Sequence, residues 1–351
     1  MYKNGNRAMA WVAKIEEIKS IPNADNICAY RVGGWWVVDQ IAKYNLGDFV
    51  VYCSIDSWIP EEMAPFLSKG GGAKTYEGIV GNRLRTVKLR GQVSQGLLLP
   101  VSDFIDGSGE DFEGLDLSEN LGIVKYDPPI PACLAGEVEG MFPAFMSKTD
   151  QERVQNLISM PDWFVGEWEV TMKLDGSSMT LFTREGTAGV CSRNLHLKDN
   201  EANNGNTLVT FARGMNYSEA LPAVADKVGF DFALQGEIMG PGIQKNREKF
   251  TKPRFFVFDV YNISENRYLN AGERRAVLDL VAEYTDTVEH VPVLIEGLLI
   301  TEDQVNVDWF LAMAEQPSIN HKFAEGIVFK NLKDGDKSFK VISNRFLLKE
   351  E

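Results

Sequence analysis

Histidine and cysteine are scarce in this chain: three and four residues, respectively, out of 351. Cys28, Cys53, Cys133 and Cys191 stand far apart and form no C-x-x-C pair. Neither a zinc site nor a disulfide framework is therefore expected, and a reducing, cytoplasmic compartment fits. His196, His290 and His321 have neither metal-ligand nor triad spacing, which argues against histidine-based catalysis. No window approaches the roughly 18 to 20 continuous apolar residues of a membrane helix. The stretch Met1-Tyr2-Lys3-Asn4-Gly5-Asn6-Arg7 has no apolar core behind it, so no signal peptide is expected. Positive charge is also short. With 36 Lys and Arg against 50 Asp and Glu, the net charge is -14. That disfavours a protein that simply coats phosphate backbones.

The basic residues present are clustered. Arg83, Arg85, Lys88 and Arg90 form one run; Lys245, Arg247, Lys249, Lys252 and Arg254 form another. Two solvated faces would look like this, and so would two grips for nucleic acid in a cleft. The apolar fraction of 44% and charged fraction of 25% are those of an ordinary globular protein. The length suggests two domains.

Residues 8 to 101 read as short, evenly spaced strands. Trp11 to Ile15, Trp35 to Val38, Phe49 to Tyr52, the alternating run Arg83 to Leu89, and Gly96 to Leu99 are separated by Gly33-Gly34 and Gly47-Asp48. This pattern predicts a small barrel. Residues 106–140 are rich in Gly, Asp and Glu and contain Asp127-Pro128-Pro129-Ile130-Pro131, which reads as a linker. Beyond Met141 strands alternate with helices. Thr149 with Glu152 three residues on predicts a capped helix start. Residues 272 to 284 predict a helix whose buried face carries Ala276, Val277, Leu280 and Val281. The expected division is 1–105, a linker at 106–140, and 141–351.

One short run points to chemistry. In Glu169-Val170-Thr171-Met172-Lys173-Leu174-Asp175-Gly176-Ser177-Ser178 an alternating strand delivers a lysine to an Asp-Gly turn. A lysine that burial or neighbouring cations deprotonate is a nucleophile at neutral pH. A hairpin with an exposed lysine would carry the same letters. The segments downstream add weight: Ser192-Arg193-Asn194, Gln235-Gly236-Glu237 through Gly240-Pro241-Gly242-Ile243-Gln244-Lys245-Asn246, Phe255-Phe256-Val257-Phe258-Asp259, Glu325-Gly326-Ile327-Val328-Phe329-Lys330, and Ser338-Phe339-Lys340-Val341-Ile342-Ser343.

In this order the segments resemble motifs I, Ia, III, IIIa, IV and V of the covalent nucleotidyltransferases, the superfamily of RNA ligases, DNA ligases and capping enzymes. The run around Glu237 is most similar to RNA ligases. Ile21-Pro22-Asn23-Ala24-Asp25 together with Lys88 through Gly96 resembles tRNA-binding OB modules. An OB module ahead of the transferase resembles the Naegleria and Deinococcus type of RNA ligase. The few residues after Ser343 are expected to leave no room for the C-terminal OB fold of DNA ligases and capping enzymes. The resemblance implies an α+β chain: an all-β OB barrel, then an α/β, ATP-grasp-like nucleotidyltransferase domain with antiparallel sheets. The alternatives are a capping guanylyltransferase or a DNA ligase, and, in another class, a non-catalytic tRNA- or RNA-binding protein.

The resemblance also implies roles. Lys173 is the nucleophile that takes AMP from ATP. Asp175, Glu237 and Glu325 face a Mg²⁺ or Mn²⁺ ion through water. Arg193 contacts ribose or phosphate, and the backbone near Thr171 and Met172 reads the adenine amino group. Phe258 stacks on adenine, with Phe256 as its rival on the same strand face. Lys330 and Lys340 neutralise phosphate charge. Several RNA ligases carry K-x-K in motif V, whereas Ile342 follows Lys340 here. Lys148 and Arg153 bind the outer phosphates or brace the chain. Gln244, Lys245 and Arg247 grip RNA phosphates. In the OB module, Trp35 or Trp36 and the stripe Arg83, Arg85 and Lys88 contact RNA, unless the tryptophans are core and the charges a solvated face. A monomer acting on broken or nicked RNA is expected.

Overall fold

The computed structural model describes residues 2–3, 6–68, 71–107, 109–127 and 136–349. Cys133 and the proline-rich part of the expected linker, 128–135, lie outside these residues. The chain divides into two compact units. The first is Met1–Pro129 with Gln155–Ser159 and Leu347–Glu351; the second is Ile130–Val154 with Met160–Phe346.

The first unit is built of strands. Ala10–Lys14, Phe49–Cys53 and Leu97–Pro100 form one antiparallel sheet, and Glu17–Ser20, Ile27–Val32 and Trp35–Gln40 another. Side chains alternate across a strand, so a strand covered on both faces feeds two cores. Val51 and Cys53 enter one cluster, with Ala10, Val12 and Leu97. Val50 and Tyr52 enter the other, with Ala13, Tyr30, Val37, Leu98 and Trp35. Trp35 is thus core, and its indole N–H donates to Asn156 Oδ1 at 2.8 Å. Trp36 is half-buried, with the Lys19 ammonium over its ring at 5.8 Å.

Two expectations for this unit are corrected. The run Arg83 to Leu89 is not one strand. Ile79–Arg83 ends at Arg83, and Val87–Leu89 starts a separate hairpin with Gln92–Ser94. Leu84 turns inward to the core between them, while Arg85 and Lys88 are exposed. The described part of the supposed linker, 106–127, is built into the unit. Leu117 and Ile123 are buried in its core, and Val124–Lys125 pairs with Ser57–Pro60. An acidic, glycine-rich composition masked these few apolar anchors.

The second unit has two sheets. In the eight-stranded one, Val138–Met141, Leu195–Leu197, Thr187–Ser192, Ser177–Arg184, Phe232–Met239, Arg254–Asn262 and Arg267–Tyr268 follow in that order, and Val288–His290 also pairs with Arg254–Asn262. The five-stranded one runs Glu152–Arg153, Ser338–Ile342, Gly326–Asn331, Gly166–Lys173, Val293–Ile300. Pairing is antiparallel except for Glu152–Arg153 and Val288–His290. Helices Thr207–Gly214, Tyr217–Val228 and Ala271–Ala282 bury Leu208, Leu221 and Val277 against Leu181, Leu234 and Val257 of the large sheet.

Ala271–Ala282 has a capping box of Asn270 and Glu273. Its buried face differs from the expected one, because Ala276 is exposed while Arg274 is only 1% exposed. Arg274 meets the fully buried Glu169 and donates to His290 Nε2 at 2.9 Å. The helix expected from Thr149 is also shorter, Val154–Leu157. Thr149 does not cap it; its hydroxyl lies 2.5 Å from Gln235 Oε1 and 3.1 Å from Asp259 Oδ2. A tertiary partner has displaced the local one.

Candidate active site

The strand Gly166–Lys173 ends with Lys173 opposite Gly326, which places its ammonium beside Glu325. Lys173 Nζ donates to Glu325 Oε2 at 2.7 Å. The Asp175-Gly176 turn then feeds Ser177–Arg184, which pairs with the Glu237 strand in the register Ser178 to Glu237. Glu237 accepts the Gly176 N–H at 2.9 Å. A Cβ on Gly176 would stand 2.4 Å from the Ile238 carbonyl oxygen, and one on Gly326 2.1 Å from that of Val341. Both Asp-Gly and Glu-Gly therefore carry glycine because a neighbouring backbone occupies the side-chain space.

Three carboxylates and two cations make this cluster. Asp175 stands 3.7 Å from Arg247, and Glu325 holds Lys173. Burial pushes the Glu237 carboxyl up to about 7, with Lys173 pulling down and Glu325 pushing up. Asp175 is raised by burial and by Glu325, against the pull of Lys173 and Arg247. For Lys173, burial lowers the pKa, but Glu325, Glu237 and Asp175 together outweigh it and the net direction is up. The ligand-free lysine is thus held protonated.

A pocket opens beside Lys173 between the two sheets of the second unit. Thr171, Met172, Lys173, Leu174 and Val328 line it from one sheet, with Ser178, Arg193, Glu237 and Phe258 from the other. Thr149, Asp150, Gln151, Val291 and Lys340 complete the wall. Lys340 reaches Asp150 at 3.3 Å.

Phe258 reaches the pocket through a β-bulge. Gln235 pairs with Asp259 and Gly236 with Val257, so Phe258 is an extra residue on its strand. Bulges re-aim a side chain in this way. Phe256 is only 2% exposed and packs on Phe250 at 5.8 Å between ring centroids. Register, which a period-two reading does not contain, brings Phe258 and not Phe256 to the pocket lining.

Several expected residues lie elsewhere. Lys330 is buried 2% exposed on Asp259, beneath the pocket wall that Thr149 and Gln151 form by bonding the other Asp259 oxygen. Burial drives its pKa down despite that partner. Lys148 donates to Asn194 at 2.9 Å, and neither it nor the buried Arg153 lines the pocket. Gln244 and Lys245 are exposed on the loop after the Glu237 strand. In the first unit Arg83 is occupied by Asp56 at 3.1 Å and by the Tyr126 ring at 5.0 Å. Thr149, Asp150, Gln151, Ser178 and Val291 in the wall were not anticipated. The first three had one available signal, their closeness in sequence to Lys148 and Arg153.

The architecture defines a class first: a covalent nucleotidyltransferase arrangement, with a lysine at a strand end among motif carboxylates. Comparisons then narrow it. An RNA ligase family model matches residues 166–342, and an OB-fold domain model matches residues 9–101. The chain is similar to Naegleria gruberi RNA ligase. A mutant of that ligase with AMP and Mn is 40% identical, with 98% of this chain and 99% of that chain covered at a TM-score of 0.87. Another mutant, with ATP and Mn, is 41% identical over 97% and 99% at 0.87. A structure of that ligase with PPi is 40% identical over 98% of each chain at 0.85. No curated protein matches. The chain belongs to the RNA ligase family.

Proposed function

We propose that this chain joins RNA 3′-OH and 5′-phosphate ends with ATP, using Lys173 as its covalent nucleophile. The observation that carries the reading is the placement of the Lys173 ammonium against Glu325 at the mouth of a pocket walled by Phe258, Arg193 and Lys340. In the first step the Lys173 Nζ lone pair attacks the α-phosphorus of ATP. A P–N bond forms, the bond to the β-phosphate oxygen breaks, and pyrophosphate leaves. In the second, a 5′-phosphate oxygen of RNA attacks the same phosphorus; the P–N bond breaks and the amine regains a proton. In the third, an RNA 3′-OH attacks the activated 5′-phosphate and AMP leaves. Positioning and charge stabilisation dominate such transfers.

Glu325 holds the proton on Lys173 at rest, so loss of that proton precedes attack. Phe258 stacks on the base, and the strand backbone at Thr171 and Met172 reads its edge. Arg193 and Lys340 face sugar and phosphates. Among the described residues no group of three or more His, Cys, Asp and Glu can hold a metal ion directly. Asp175, Glu237 and Glu325 nevertheless set three carboxylates against the two cations Lys173 and Arg247. That surplus fits a hydrated Mg²⁺ or Mn²⁺ reached through water. Such an ion supplies charge neutralisation at the phosphates.

The reading extends to broken or nicked RNA as substrate, with Arg85, Lys88, Gln244 and Lys245 exposed at the surface. It also extends to a cytoplasmic monomer. Cys28, Cys53 and Cys191 are buried free thiols, as a reducing compartment allows. No helix among the described residues is long and apolar enough to cross a membrane.

The test is incubation with Mg²⁺ or Mn²⁺ and ATP or GTP labelled at the α-phosphate. Label that survives denaturation, comes from ATP and disappears in Lys173→Ala is expected. Label from GTP, or none from ATP, would sink the reading. Joining of RNA strands but not DNA strands completes the test.

A further inference from the structure

Arg247 lies on the loop that follows the Glu237 strand, between Asn246 and Lys249, which both take positive φ (42° and 55°). An arginine that clamps RNA phosphates presents its donors to solvent. This one does not. Its Nη1 stands 3.7 Å from Asp175 Oδ2. Its Nη2 donates to the Phe323 carbonyl at 3.2 Å and to His321 Nδ1 at 3.1 Å. The guanidinium lies over the Phe323 and Phe346 rings, 5.1 and 4.9 Å from their centroids. Only 16% of the side chain is exposed.

We infer that Arg247 is a positioning residue for lysine adenylylation: it anchors the Asp175 carboxylate two residues beyond Lys173 and ties it to the segment that leads into Glu325. The inference rests on the roles of Lys173 and Asp175 given above. Asp175 follows the strand that ends at Lys173, and Glu325 and Glu237 repel its carboxylate. A planar guanidinium lying over two rings is a rigid counter-charge. Phe323 stands two residues before Glu325, so one side chain supports both acids that flank the nucleophile. Arg247 is not among the residues that line the pocket, which separates its role from those of Arg193 and Lys340.

Lysine adenylylation needs no RNA, and that makes the inference testable against an RNA clamp. Single-turnover formation of protein-bound label from α-labelled ATP with Mn²⁺, without RNA, is measured for wild type, R247A, R247K, D175N and R247A/D175N. R247A is expected to slow labelling roughly 30- to 100-fold at saturating ATP, with half-saturation by ATP moved by no more than about 3-fold. R247K, which restores the charge without the planar stack, recovers part of the rate. The double variant is no slower than D175N, because the two groups act as one unit. Wild-type labelling in R247A with loss of RNA joining alone would overturn the inference, as would multiplying effects in the double variant. R247K carries the comparison if R247A fails to fold. Full-speed labelling in D175N would mean instead that the role given to Asp175 is wrong, and the inference falls with it.

Discussion

Glu237 is a residue whose buried charge costs the folded chain stability. Its carboxyl titrates at about 7 in the folded chain against 4.5 as a free group. The native state therefore binds more protons than the unfolded state between those values, and stability falls as pH rises through them. Glu237→Gln keeps the acceptor for the Gly176 N–H and removes the charge. It is expected to raise the melting temperature by a few degrees at pH above 7, on the order of 2 kcal/mol, and to leave it unchanged well below 4.5, while ending lysyl-AMP formation. A melting curve that ignores pH, or a destabilised variant, would contradict this. Phe258 and Phe256 allow a second comparison at this scale. Phe258→Ala should raise half-saturation by ATP roughly tenfold through lost stacking with little change in melting. Phe256→Ala should cost about 3 to 5 kcal/mol of stability. Equal behaviour of the two variants would refute the bulge argument.

At the scale of the element, the helix Ala271–Ala282 carries more than an apolar stripe. Arg274 points into the core, where Glu169 is fully buried, and Arg275 reaches the same carboxylate at 2.5 Å. Glu169 lies across the sheet from Lys330, which holds Asp259, which in turn holds Thr149 and Gln151 at the pocket wall. A chain of buried charges thus runs from the outer helix to the site. Breaking one member leaves its partner's charge uncompensated. Glu169→Ala is expected to lose about 3 to 5 kcal/mol in denaturant unfolding, and a loss below about 1 kcal/mol would show that the pair is dispensable. Periodicity placed this helix to within two residues. It did not place Arg274 inward, because an arginine counts as polar in any pattern and only a buried carboxylate on another strand gives it reason to be there.

For the molecule as a whole, the division into units reassigns residues 106–127. These have a linker's composition, yet Leu117 and Ile123 are 6% and 2% exposed within the first unit. Leu117→Ala is expected to destabilise that unit by about 2 to 5 kcal/mol, measured as an earlier unfolding transition. A true linker would tolerate the change. The net charge of -14 is likewise a property of the total that hides local arrangement. Arg85, Lys88 and Lys245 are exposed basic residues on an acidic chain, while Arg83, Arg247, Arg274 and Lys330 are engaged internally.

The sequence by itself determined the class. Lys173-Leu174-Asp175-Gly176 and the ordered segments around Glu237, Phe258, Glu325 and Lys340 are local words, although the space that excludes a side chain at Gly176 and Gly326 is taken by the backbones of Ile238 and Val341 on other strands. The strand-rich first part and the mixed second part followed from period and turn residues. Tertiary structure alone decided which basic residues face the pocket and which of two phenylalanines enters it. Those outcomes depend on strand register, on a bulge, and on charges brought together from distant parts of the chain. None of these is encoded within the reach of a turn or a helical period.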